Sequence, residues 1–236
     1  LAVHAEREQQ RRHRNLPATI NARIDDILGV ELDVQPGQRV LLRNIGWDEF
    51  EQILEEMGDR RAARIAYYKG QLEIMVPLAG HEDGKVIIGN LVEVMLEELD
   101  IEFRNLGSTT FKRQDMNAGV EPDECFYIQN EAAIRGKDRI DLNVDPPPDL
   151  AVEIDITSSS QIKQNSYEAL GVPELWIYDG RKLQINVLRA GKYIESSQSQ
   201  VFQELPIAEV IPQYVAISKV QGRNAAIKAF RAWISQ

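Results

Sequence analysis

Two stretches of the chain repeat apolar residues with the spacing of an amphipathic helix. Residues 47–58 and 81–99 each place apolar side chains at three- and four-residue steps, which predicts two helices. Asp48 is the expected cap of the first helix and Gly58 its end. The apolar positions are Phe50, Ile53, Leu54 and Met57 in the first helix, and Ile88, Leu91, Val92, Met95 and Leu99 in the second. A shorter helix, capped by serine, is predicted within residues 158–171.

Other stretches alternate apolar and polar residues or group β-branched ones, which is typical of strands. Residues 63–77 contain two such runs around Lys69 and Gly70, which predicts a hairpin with Glu73 opposite the core face. The clearest run, 146–157, begins with three prolines. Further strands are predicted at 37–44, 101–105, 108–113, 119–130, 172–180 and 182–195. This order of helices and strands predicts an α/β (α+β) domain with a mixed central sheet flanked by helices.

The composition of the chain argues against several classes of protein. The chain has 236 residues and a formal net charge of −10, which argues against a protein that coats nucleic acid through a basic face. Cys125 is the one cysteine, which excludes disulfide frameworks and thiolate metal clusters and favours a reducing, cytoplasmic setting. No run approaches the about 20 apolar residues of a membrane span, and residues 1–15 lack the apolar segment of a secretory signal.

Three carboxylates are candidates for chemistry. Asp123 follows Pro122 in a predicted strand, and Glu153 and Asp155 lie in the run 146–157. Residues two apart on a strand project from the same face, so Glu153 and Asp155 can point together. A buried carboxylate needs a partner or a metal, and acids from neighbouring strands suit Mg²⁺ or Mn²⁺. The alternative for Asp155 is a solvent-exposed strand end.

Four other polar side chains lie where they could reach the same cleft. Lys163, at the start of the helix after the Glu153 strand, could orient a water or stabilise charge on a phosphate. His81 and Glu82 lie at the start of the long predicted helix. The alternatives are a solvated lysine, a capping histidine and, for Glu73, an exposed carboxylate.

Other catalytic chemistries lack their motifs. The sequence contains no GxSxG, HExxH, Walker-type or GxGxxG motif. Two of the three histidines, His4 and His13, lie in the polar N-terminal arm, so a site built from several histidines is not expected. A serine nucleophile that relies on His81 stays open, although no serine is marked for that role.

The sequence resembles the Uma2 family (formerly DUF820), restriction-endonuclease-like proteins abundant in cyanobacteria, over about residues 46–215. The resemblance rests on four blocks in order: LEIMVPLAGHE (72–82), GVEPDECFYI (119–128), PPPDLAVEIDITSSS (146–160) and YEALGVPELWIYDG (167–180). It implies the PD-(D/E)xK nuclease superfamily, whose core is an αβββαβ unit. The order of predicted elements fits that topology.

The resemblance also implies metal ligands. Pro122-Asp123 matches the PD of the motif and Glu153 matches its second acid, so both acids would bind the metal. The main-chain carbonyl of Ile154 would be a further ligand. The motif has a lysine two positions after the second acid, whereas this chain has Asp155, which could help the other acids.

A displaced lysine completes the implied site. In Uma2-like proteins a lysine four positions before a tyrosine supplies the missing charge, and here these are Lys163 and Tyr167. His81 matches a histidine common at the start of the first core helix, and Glu73 matches an acid just ahead of it. Asp123, Glu153, Lys163, Asp155, His81 and Glu73 are therefore the candidate catalytic residues.

The leading hypothesis is an endonuclease that hydrolyses DNA phosphodiesters with Mg²⁺ or Mn²⁺. The alternative is a nuclease fold that has lost catalysis and acts as a binding or regulatory module, which the acidic balance and Asp155 favour. A third interpretation is metal-dependent hydrolysis of a small phosphoester. Each interpretation uses the same carboxylates.

Domain organisation and partners complete the expectations. Residues 1–45 are interpreted as an arm with a β-rich extension, 46–215 as the nuclease-like domain, and 216–236 as an amphipathic C-terminal helix. Phe230 and Trp233 share a face of that helix, which could join two copies in a homodimer. The alternative is that the helix packs on its own domain.

Overall fold

The computed structural model describes residues 34–58, 63–155 and 160–236, which form eleven strands and six helices. The strands are β1 (Arg39–Arg43), β2 (Arg64–Tyr68), β3 (Gln71–Met75), β4 (Arg104–Asn105), β5 (Phe111–Arg113), β6 (Ala118–Val120), β7 (Glu124–Tyr127), β8 (Leu150–Ile154), β9 (Glu174–Tyr178), β10 (Leu183–Arg189) and β11 (Lys192–Ser196). The helices are α1 (Trp47–Met57), α2 (Ala79–Glu98), α3 (Glu131–Ile134), α4 (Gln161–Leu170), α5 (Ile207–Gln221) and α6 (Arg223–Ile234). The predicted arm at 1–15 and the end of the predicted strand 146–157 lie outside the described residues.

The smaller sheet is antiparallel, with strand order β1-β3-β2-β6-β5. Its β2–β3 hairpin confirms the turn at Lys69 and Gly70, whose φ angles of 45° and 81° are the positive values that such a two-residue turn requires. The predicted helix α1 covers this sheet, and the ring of Phe50 stacks on that of Tyr67 with centroids 4.4 Å apart. Apolar burial on this face fixes the hairpin in place.

The larger sheet has the order β11-β10-β9-β8-β7-β4 and is mixed, because β8 and β9 pair in parallel while the other pairs are antiparallel. In chain order, α2, β4, β7, β8, α4 and β9 form an αβββαβ unit, with β5 and β6 of the smaller sheet inserted after β4. The predicted mixed α/β architecture and its αβββαβ core are therefore confirmed.

The chain crosses from one sheet to the other at residues 121–123. The sequence predicts one strand over 119–130, and this prediction is wrong, since β6 belongs to the smaller sheet and β7 to the larger one. Pro122 explains the break because proline has no N–H to donate to a strand ladder. Glu121 makes the last bond to the smaller sheet, through its N–H to the Ile65 carbonyl. Asp123 consequently lies at the junction of the two sheets.

α4 lies between the sheets, in contact with β2 and β6 on one side and β11 on the other. Ser160 caps it by accepting a hydrogen bond from the N–H of Lys163 at 3.1 Å, and Gly171 ends it in the left-handed conformation with φ of 78°. Both ends agree with the predicted helix. The cap fixes the first turn of α4, which carries Lys163.

The other face of the larger sheet is covered by α2, against which α5 and α6 pack. Phe230 of α6 is fully buried, and its ring lies 4.8 Å from that of Tyr214 on α5. The apolar face of α6 thus packs within this chain. The homodimer stays a prediction, and this face no longer supports it. None of the helices in the described part of the chain is long and apolar enough to span a bilayer.

Three local predictions are corrected. The N-cap of α1 is Gly46 rather than Asp48, because the Gly46 N–H donates to the Glu49 carboxylate at 2.7 Å. Leu99 lies beyond the end of α2 and is exposed. The run 182–195 is a hairpin rather than one strand, since Gly191 with φ of 77° allows a turn between β10 and β11.

Candidate active site

The structure brings Asp123 and Glu153 together at the junction of the sheets. β7 and β8 are antiparallel, with Glu124 opposite Val152, so the same register places Asp123 opposite Glu153. Residues directly opposite each other in an antiparallel pair project from the same face. The N–H of Ile154 donates to Asp123 Oδ2 at 2.8 Å, which fixes the Asp123 side chain against the end of β8.

Glu153 accepts hydrogen bonds from two side chains of α4. Lys163 Nζ lies 2.5 Å from one carboxylate oxygen, and the Tyr167 hydroxyl donates to the other. These three side chains are buried, with residue exposures of 2%, 3% and 0%. Lys163 and Tyr167 are one helical turn apart, so they reach the carboxylate from the same face of α4. The alternative of a solvated Lys163 is therefore wrong.

The charges at the junction are strongly coupled. Burial alone lowers the pKa of Lys163, but the negative charges of Glu153, Asp123 and Asp155 outweigh it and the pKa lies above its ordinary value. Burial raises the pKa of Asp123, yet the positive charges of Lys163 and His81 lower it to about 2. Lys163 is therefore favoured as a cation beside these three acidic side chains.

His81, near the start of α2, contacts the carboxylate of Asp123. Its Nε2 lies 3.1 Å from Asp123 Oδ2, and its side chain is 7% exposed. Burial alone lowers the pKa of His81, but Asp123 and Glu82 raise it to about 9. The alternative of a capping histidine is wrong, because the cap position is Leu78 and the imidazole points at Asp123.

Glu73 is buried, so the interpretation as an exposed carboxylate is wrong. It is 5% exposed on β3, because both faces of this strand are covered. Its Oε2 accepts a hydrogen bond from the Ser160 hydroxyl at 2.9 Å, and its Oε1 lies 3.4 Å from Arg39 Nε. Ser160 in turn caps the helix turn that carries Lys163. Glu73 is therefore connected to Lys163 through this cap.

Asp155 directly follows β8 and is partly buried. Its N–H donates to the Tyr178 carbonyl at 2.9 Å. Burial raises its pKa, while the charges of Lys163 and Arg39 act in the opposite direction. With Arg39 and His81 it lines a cavity of about 150 Å³ that is otherwise mainly apolar. The interpretation as a solvent-exposed strand end does not hold.

The donor set at the junction fits a hard divalent cation. Asp123 Oδ1 is buried and has no hydrogen-bond partner, which leaves one oxygen of the carboxylate pair available. In the described ranges no three His, Cys, Asp or Glu side chains converge as an all-protein cage. Mg²⁺ does not need such a cage, because it is usually held by one or two carboxylates, waters and substrate phosphates.

Two contributors were not singled out as functional from the sequence. In the family resemblance Tyr167 serves only to locate Lys163, although the four-residue spacing indicates that both side chains can reach one group. Arg64 lies with its Nε 3.8 Å from Asp123 Oδ1. No local pattern marks it, since the contact joins β2 to the start of β7.

Comparisons with known proteins give a family and similar solved structures. The model of the family Uma2, described as "Putative restriction endonuclease", matches residues 47–218. A crystal structure of a protein described as "a putative nuclease belonging to DUF820", from Anabaena variabilis ATCC 29413, is similar at 16% sequence identity and a TM-score of 0.46. That match covers 80% of this chain and 99% of the other. A comparison with curated proteins gives no match.

Proposed function

The chain belongs to the Uma2 family, whose description is "Putative restriction endonuclease", and from that premise we propose that it is a Mg²⁺-dependent endonuclease that hydrolyses DNA. The observation that carries the proposal is the buried pair Asp123 and Glu153, which the register of β7 and β8 places opposite each other, with Lys163 directly on Glu153. In such an arrangement the acids can bind a divalent ion, and the cation can stabilise negative charge on a phosphodiester.

Each side chain has a proposed role. Asp123 and Glu153 would hold Mg²⁺ or Mn²⁺ together with the Ile154 carbonyl, and Asp155 would assist them. Such an ion would supply Lewis-acid chemistry for activating a water and polarising a phosphate. Lys163 orients the attacking water or stabilises the negative charge that develops on the phosphate. The hydroxyl of Tyr167 fixes the orientation of Glu153, to which it donates.

His81 and Glu73 act on these groups rather than on the substrate in this proposal. His81 places a positive charge beside Asp123 and keeps its carboxylate ionised. Glu73 holds Ser160, which caps the turn of α4 that carries Lys163. Asp155 occupies the lysine position of the family motif, and the contact of Lys163 with Glu153 supports a lysine displaced to α4.

A second candidate function is a binding or regulatory module without catalysis. The contacts of Glu153 favour it, because Lys163 and Tyr167 satisfy both carboxylate oxygens without a metal. Titration calorimetry with Mg²⁺ and Mn²⁺ separates the two functions. Binding at millimolar concentration that Asp123→Asn abolishes supports the nuclease, and no binding of either ion supports the module.

The direct test is nicking of supercoiled plasmid with Mg²⁺ or Mn²⁺. Asp123→Asn and Glu153→Gln are each expected to lower the rate at least about 100-fold, because each removes a carboxylate proposed to hold the metal ion that stabilises the transition state. Glu195→Gln, on the exposed part of β11, is the matched control and keeps full activity. Activity that survives both substitutions in folded protein overturns the proposal.

A further inference from the structure

A second carboxylate in the molecule lies among cations, outside the pair proposed to hold the metal. Glu82, in the first turns of α2, has Arg64 Nη2 at 3.6 Å, His81 Nδ1 at 3.7 Å and Lys85 Nζ at 3.7 Å from its oxygens. We call these four residues the Glu82 cluster. All three separations exceed hydrogen-bond length, so the carboxylate is close to three cationic groups and bonded to none of them.

The cluster is poorly satisfied for its degree of burial. Arg64 Nε, His81 Nδ1 and Glu82 Oε1 are buried and have no hydrogen-bond partner. The side chains of Arg64, His81 and Lys85 are only 12%, 7% and 14% exposed, whereas that of Glu82 is 41% exposed. Buried guanidinium and imidazole N–H groups without acceptors are costly, so the arrangement favours an anion that can bond them.

The cluster borders the proposed metal pair directly. Arg64 Nε lies 3.8 Å from Asp123 Oδ1, and His81 Nε2 lies 3.1 Å from Asp123 Oδ2. Lys85 donates to the Ser108 hydroxyl at 3.1 Å, and Ser108 reaches the Asp123 carbonyl at 3.4 Å. An anion bonded to these cations would therefore lie beside any phosphate held at Asp123.

The chemistry of the three cationic groups suits the phosphate of a phosphodiester. A guanidinium can donate two parallel hydrogen bonds to phosphate oxygens, and an ammonium binds phosphate as a compact charge. DNA presents such groups in series along its backbone. Glu82 is the exposed member of the cluster, so its side chain can turn to solvent and leave the cations to an incoming phosphate.

We propose that Arg64 and Lys85, with His81 beside them, bind a DNA backbone phosphate next to the one that is hydrolysed, and that Glu82 occupies this place in the free protein. The inference rests on the proposed function, because it takes DNA as the substrate. It makes Glu82 an internal competitor for nucleic acid and Lys85 a substrate-binding residue.

The test measures binding of a fluorescein-labelled DNA duplex by anisotropy in EDTA, where no cleavage occurs. Glu82→Gln is expected to tighten binding about threefold or more, because it removes the competing charge. Asp83→Asn is the matched control, since it removes the same charge from an exposed neighbour and leaves the cluster intact. Its effect on affinity should be smaller than that of Glu82→Gln.

Lys85→Ala gives the opposite change. It is expected to weaken binding about threefold to tenfold and to reduce the slope of log K against log salt concentration by about 1, the value for one lost phosphate contact. Lys219→Ala, on the exposed face of α5, is its control and should leave both quantities unchanged. In the double variant the gain from Glu82→Gln should disappear, because the phosphate has lost its partner.

Each outcome decides the matter. The inference is overturned if Glu82→Gln changes the DNA affinity no more than Asp83→Asn does, or if Lys85→Ala changes it no more than Lys219→Ala does. It is also overturned if neither the wild type nor Glu82→Gln binds DNA. If the protein nicks plasmid but substitutions at Glu82 and Lys85 leave DNA binding unchanged, only the inference is overturned. If the protein binds DNA through Lys85 and never nicks it, only the proposed function is overturned.

Discussion

Glu153 and Glu82 are two carboxylates that interact with nearby cationic side chains in different ways. Glu153 is 2% exposed and accepts direct hydrogen bonds from Lys163 and Tyr167. Glu82 has a side chain that is 41% exposed, and its cationic neighbours stay 3.6–3.7 Å away. Packing fixes the hydrogen bonds of Glu153, whereas Glu82 interacts with its cationic neighbours only through charge. Substitutions at Glu153 should therefore change stability, and those at Glu82 should change binding.

The largest expected effect comes from Lys163→Met. It leaves Glu153 buried without its counter-charge, so the free energy of unfolding should fall by about 3–5 kcal/mol. Urea denaturation measures this loss. Lys192→Met is the control, because the Lys192 side chain is 72% exposed beside Glu168, and it should cost much less stability than Lys163→Met. Equal losses for the two variants would contradict the view that the buried contact between Lys163 and Glu153 stabilises the fold more than an exposed ion pair does.

Tyr167→Phe is expected to have the next largest effect. It removes a buried hydrogen bond to a charged acceptor, which should lower the free energy of unfolding by about 1.5–3 kcal/mol. Tyr178→Phe is the matched control, because its hydroxyl donates to a neutral carbonyl, that of Gly180, and should cost about 1 kcal/mol. Urea denaturation of both variants tests the order, and a smaller loss for Tyr167→Phe would contradict it.

Ser160→Ala tests how firmly α4 presents Lys163 to Glu153. Loss of the cap should lower the free energy of unfolding by about 1 kcal/mol. Glu73 also loses its hydrogen-bond donor. The nicking rate should therefore fall even at temperatures where the variant is fully folded. Ser160→Thr keeps a hydroxyl and should restore both properties. An unchanged nicking rate in Ser160→Ala would show that the cap does not position Lys163.

The smallest effect on stability is expected from Glu82→Gln. Despite three cationic neighbours, its long and partly exposed ion pairs should contribute less than about 1 kcal/mol to the free energy of unfolding. The measurement is the same urea titration as for Lys163→Met. A loss above about 2 kcal/mol would mean that the Glu82 cluster is a structural ion pair and would contradict its assignment as an exchangeable site.

The fold was predictable where one local pattern dominates. The helix α1 and the hairpin at Lys69 and Gly70 follow from apolar periodicity and turn geometry. The strand break at Pro122 was missed, although proline is unfavourable within a ladder, because the apolar run resumes after it. Which sheet each half joins depends on distant strands, and a local pattern does not encode that choice.

The candidate site was predictable only along the strands. The facing of Asp123 and Glu153 was expected from two neighbouring strands, and the register agrees with it. Burial of Glu73 was not, because it depends on α4 covering the second face of β3. Arg64 was missed since its contact with Asp123 joins separate sheets. Long-range packing, rather than spacing, decides these cases.

The single thiol of the chain makes opening of the candidate site observable without labels or substitutions. Cys125 is fully buried in β7, two residues from Asp123, and burial raises its pKa well above the ordinary value. A disulfide reagent can therefore react only when β7 separates from its neighbours. The reaction rate in native buffer would report how often this part of the sheet opens, and a bound ion or DNA that holds Asp123 should slow it.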